Sequence, residues 1–85
     1  MQKDQLLNEL KPTVWIGKKG LESLVLEEIR RQLKRKGLIK VKIQKNIKNE
    51  FDDILKQILS QTNSVLIEQK GLTFVISKTN DSKSE

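Results

Sequence analysis

Between residues 13 and 43 the hydrophobic period changes from two to 3.6 and back to two, which restricts the fold more than any other feature of the chain. Residues 13–16, Thr-Val-Trp-Ile, read as a short β-branched strand. Residues 21–36 then place Leu21, Leu24, Val25, Ile29 and Leu33 on one helical stripe. Acids come early in that stretch (Glu22, Glu27, Glu28) and Arg30, Arg31, Lys34, Arg35 and Lys36 come late. The gradient complements a helix dipole, and Glu27 is expected to pair with Arg31 one turn on. Gly37 is the expected C-cap. Residues 38–43 alternate, with Ile39, Val41 and Ile43 facing a core and Leu38, Lys40 and Lys42 facing mostly water. A strand–helix–strand unit of this kind implies parallel pairing through a right-handed crossover.

The flanks extend the pattern. Residues 4–10 carry Leu6, Leu7 and Leu10 and suit a short helix that stops at Lys11-Pro12. Those leucines are expected to cover part of the second sheet face, near Trp15 or Leu66. Asn49 is the expected cap of a helix over residues 50–61, whose stripe is Phe51, Ile54, Leu55, Ile58 and Leu59. Residues 64–68 and 72–77 form an antiparallel hairpin around Lys70-Gly71, with Leu72, Phe74 and Ile76 on its core face. Residues 79–85 contain no apolar side chain and read as a disordered tail. The fold class is α+β, in two layers and the order α-β-α-β-α-β-β. A single domain over residues 1–78 builds a four-stranded mixed sheet with the two longer helices on one face.

Composition narrows the function. The 85 residues include neither cysteine nor histidine, so thiolate chemistry, disulfides and the commonest general base are absent. Asp52 and Asp53 are adjacent and cannot face each other on a helix. Ser23, Ser60 and Ser64 lack a histidine partner. The expectation is a protein that is not an enzyme and has no metal, cofactor or small-molecule substrate. No 18-residue apolar run or signal-peptide core occurs, which points to a cytoplasmic protein without a membrane role.

The net charge of +6 is unevenly spread. Residues 11–45 hold eleven lysines and arginines against three acids, whereas residues 46–85 hold five against six. A basic half joined to a near-neutral half implies a polyanionic partner. The sharpest candidate contact is Gly17-Lys18-Lys19-Gly20, which joins the first strand to the following helix. Glycines let backbone N–H groups approach a phosphate, a helix N-terminus favours one, and Lys18 and Lys19 add mobile cations. Arg30, Arg31 and Lys34 are placed to follow a nucleic-acid backbone, with Lys40 and Lys42 as a second basic surface. Trp15 is the one large stacking candidate; it points away from Val14 and Ile16, either under the N-terminal helix or open to a nucleic acid. The area an indole buries makes packing the expected outcome.

Leu10-Lys-Pro-Thr-Val-Trp-Ile-Gly-Lys-Lys-Gly-Leu21, then Glu28-Ile29, then Leu38-Ile-Lys-Val-Lys-Ile43 closely resemble the CRM domain, named for chloroplast RNA splicing and ribosome maturation. The resemblance covers roughly residues 6–78. It implies a fold like the C-terminal domain of translation initiation factor 3. It also implies a non-enzymatic RNA-binding role on ribosomal precursor RNA, in association with large-subunit precursors, with Gly17, Lys18, Lys19 and Gly20 matching the family's RNA-contacting loop. The chain departs from many relatives at Gly37, at Lys70-Gly71 and at Ser77-Lys78. Two other readings stand beside this one. The chain could be a sequence-independent binder of the chromatin type, or a protein-interaction module docking on an acidic ribosomal or factor surface.

Overall fold

A computed structural model describes residues 10–79. The helix expected over residues 4–10 and the tail after Thr79 lie outside the described residues, apart from Leu10 itself. Strands β1 (Pro12–Ile16), β2 (Leu38–Ile43), β3 (Ser64–Lys70) and β4 (Thr73–Lys78) form one sheet in the order β1-β2-β4-β3. β1 and β2 are parallel, while β4 runs antiparallel to both β2 and β3. Helices α1 (Ser23–Lys36) and α2 (Phe51–Thr62) supply the crossovers, as the alternation of periods requires.

One face of the sheet and both helices enclose the core. Val14 and Ile16, Ile39, Val41 and Ile43, and Phe74 and Ile76 meet Ile29 and Leu33 of α1 and Phe51, Ile54, Leu55 and Ile58 of α2. The rings of Phe51 and Phe74 pack edge to face with centroids 5.6 Å apart, locking α2 onto β4. The mixed sheet and its helix layer agree with the sequence expectation, and β2 and its inward face do so residue for residue.

Four local expectations are corrected. The first helix opens at Ser23, not at Leu21, and Leu24 is 77% exposed. The stripe that packs is Val25, Leu26, Ile29, Gln32 and Leu33, so Leu24 falls just off the buried face. Buried Gln32 is satisfied by the Thr13 hydroxyl, which donates to its Oε1, and by donating from Nε2 to Glu28 at 2.9 Å. Arg31 pairs with Glu28, three residues back, rather than with Glu27, four back; both spacings lie within one helical turn. Asn49 does not cap α2. A 3-10 segment, Lys45–Glu50, leads into the helix with a kink at Ile47, whose side chain is drawn into the core.

The ends of α1 and α2 follow from backbone chemistry. Gly37 takes the left-handed conformation (φ 80°) and its N–H bonds Leu33 O at 2.8 Å. Asn63 does the same after α2 at φ 53°.

Candidate nucleic-acid interface

Because β1 and β2 are parallel, their C-terminal ends lie at the same edge of the sheet. Gln44 N–H bonds Ile16 O and Ile43 N–H bonds Leu72 O, each at 2.9 Å. The Gly17-Lys18-Lys19-Gly20 turn, the start of the 3-10 segment and the β3–β4 turn therefore share one end of the molecule. The first of these is closed by Gly20 N–H donating to Gly17 O at 2.7 Å. Gly20 sits at φ 73°, a conformation an L side chain adopts only with strain. At Gly17 the constraint is a close approach, since a Cβ there would lie 3.0 Å from Gln44 Oε1.

Lys18 and Lys19 are exposed at the tip, and neither side chain bonds another described residue. α1 begins three residues after Gly20, with Glu22 at its N-cap and no side-chain cap. Glu22 places a negative charge beside the positive helix end.

The remaining candidates fall into two other places. α1 has 14 residues, and its rise of about 1.5 Å per residue carries Lys34, Arg35 and Lys36 roughly 20 Å back toward the start of β2. There Lys78 N–H bonds Gly37 O at 3.1 Å. Arg30 donates to the carbonyl of Gln61 at 3.0 and 3.3 Å, tying the two helices together at an otherwise open carbonyl. Arg31 holds an exposed pair with Glu28, the kind that contributes little stability and releases easily. Arg30 and Lys34 line a groove of about 370 Å³ with Lys78, which the sequence reading missed. The pairing of β4 with both β2 and β3 brings Lys78 to that position.

Lys40 and Lys42 project from the opposite face of the sheet. They line a cavity of about 210 Å³ with Glu68 and Lys70 on β3, Thr73 and Val75 on β4, and Pro12. The structure thus places Lys42 near the turn end, opposite Trp15 of β1, but separates both sheet lysines from Arg30, Arg31 and Lys34 by the thickness of the sheet. Lys45 and Lys70 join the turn end, and the sequence reading did not single them out. Trp15 is 60% exposed, against the packing expected for it.

A two-layer domain with a basic strand–turn–helix corner is the class of protein that fold and site define. The family model for the CRS1/YhbY (CRM) domain matches residues 3–78, and the chain belongs to that family. A protein of Methanocaldococcus jannaschii described as a probable RNA-binding protein is 55% identical over 38 residues, covering 45% of this chain. The matched stretch spans 28% of that relative's length. Among solved structures, a hypothetical protein of Staphylococcus aureus with a suggested RNA-binding role superposes with a TM-score of 0.75. That match covers 95% of this chain and 84% of the other at 23% identity, which is a likeness of fold.

Proposed function

We propose that the protein is a non-enzymatic RNA-binding module that acts on structured ribosomal precursor RNA as an assembly or maturation factor in the cytoplasm. The observation that carries this reading is the exposed Gly17-Lys18-Lys19-Gly20 turn, which presents two lysines without described partners on a rigid strand end. Membership of the CRM family and the RNA-binding description of the archaeal relative support it. Phosphates bind first at the turn, and the sheet-end lysines Lys42, Lys45 and Lys70 extend the contact. The helix-end groups Arg31 and Lys34 reach an RNA long enough to pass along α1. Four neutralised phosphates give a log–log salt slope of roughly −3 for single-stranded RNA.

The test is Lys18→Glu combined with Lys19→Glu. Both side chains are exposed, so thermal stability stays within about 0.5 kcal/mol of the parent while RNA affinity falls by at least about tenfold. A folded double variant with unchanged affinity for structured RNA sinks the turn as the binding site. A second reading, docking on another protein, is favoured by Val65, Leu66 and Ile67, which are exposed on edge strand β3. In that case the double variant keeps its partner and Val65→Lys loses it.

A further inference from the structure

Beside the basic turn, β1 and the first two turns of α1 enclose a shallow groove of about 280 Å³ lined by Thr13, Val14, Trp15, Leu24, Val25 and Glu28. Its two prominent apolar walls are unusually open, with Trp15 60% and Leu24 77% exposed. An indole and a leucine facing the same groove in water are costly to keep and mark a contact surface. The groove's volume lies below the range of drug-sized pockets, so it suits one small ring system.

Its chemistry selects which ring. Among the described lining residues Glu28 is the one charged group, and it repels a phosphate or an acidic side chain from the groove itself. The two Glu28 oxygens accept from Arg31 and Gln32 and retain lone pairs for a further donor. A flat, uncharged ring with N–H groups on its edge meets these conditions. Lys18 stands three residues beyond Trp15, with the two Cα atoms at most about 11 Å apart. A phosphate at the turn and its own base at the groove are within reach of each other.

We infer that the Trp15–Leu24 groove binds one unstacked nucleobase, from a bulge or loop, of the RNA whose phosphates meet Lys18 and Lys19. The inference rests on the RNA-binding reading above and adds to it a preference for unpaired nucleotides. Base–aromatic stacking converts phosphate binding, which is indifferent to structure, into recognition of an interrupted helix.

The chain has a single tryptophan and no tyrosine, so its intrinsic fluorescence reports on Trp15 directly. Three RNAs serve as probes: a fully paired stem, the same stem with one bulged nucleotide, and that bulge made abasic. The bulged RNA quenches Trp15 emission and binds roughly 5- to 100-fold tighter than the paired stem, while the abasic RNA does neither. Trp15→Ala abolishes that preference with affinity for the paired stem retained, and Trp15→Phe keeps part of it. Binding of all three RNAs alike, with Trp15 emission unmoved or the preference intact in Trp15→Ala, overturns the groove and leaves the RNA reading standing. Absence of binding to all three overturns both.

Discussion

Gly17 and Gly20 look equivalent in the sequence but are held by different physics. Gly20 is fixed by its own backbone, at φ 73° with open space where a side chain would go. Gly17 is fixed by a neighbour, the mobile end of the Gln44 side chain, which can shift by a few tenths of an ångström. Gly20→Ala is therefore expected to lower stability by about 1–2 kcal/mol and Gly17→Ala by less. Urea denaturation of both variants checks the order, and equal costs would contradict the assigned conformation of the turn. Residue-level features were unevenly legible in advance. The glycine–lysine turn was visible because glycine and lysine are unusual together at a strand end. The exposure of Trp15 was not, because alternation shows which face a side chain takes but not whether anything covers it. The partner of Arg31 was also out of reach, since Glu27 and Glu28 are both within one turn and rotamers decide between them.

At the scale of elements, α1 shows where periodicity misleads. Leu24 is apolar and fits the stripe from Leu21 to Leu33, yet it lies exposed, while Leu26 turns inward beside the expected Leu21, Val25, Ile29 and Leu33. Gln32 completes that face because Thr13 and Glu28 satisfy its amide, a tertiary arrangement with no sequence signal. Ile29→Ala is expected to cost about 2–5 kcal/mol, since Ile29 is fully buried between the sheet and α2. Leu24→Ala should stay within about 0.5 kcal/mol. Thermal unfolding decides it: a shift for Leu24→Ala as large as that for Ile29→Ala would mean that α1 is rotated from the face described. β2 and α2 were legible almost to the residue because nearly all their apolar positions, Leu38 apart, pack in or against the core. The 3-10 segment before α2 was not, since its single buried side chain, Ile47, sets no period.

For the whole molecule, the parallel β1–β2 pair decides where charge goes. It sends the basic turn to one end of the sheet and the arginine- and lysine-rich end of α1 to the other, roughly 20 Å away along a 14-residue helix. The sequence placed both groups in one basic half but could not separate them, because their distance depends on the direction of the crossover. A short RNA can meet only one end. Reversing Lys34 to Glu should therefore weaken a long structured RNA by several-fold and leave a short hairpin bound at the turn nearly unaffected, as read by gel-shift titration. Equal losses for both RNAs would place the primary contact on the helix.

The central claim is that the basic turn binds RNA, and fluorescence anisotropy tests it most directly. A structured ribosomal RNA fragment and a length-matched duplex DNA are titrated at about 50 and 200 mM salt, with the parent protein and with the Lys18→Glu, Lys19→Glu variant. The expected result is tighter binding to RNA than to DNA, falling about sixty-fold across that salt range and largely lost in the folded variant. Equal affinity for RNA and DNA, or an RNA affinity that survives reversal of both lysines, would contradict it.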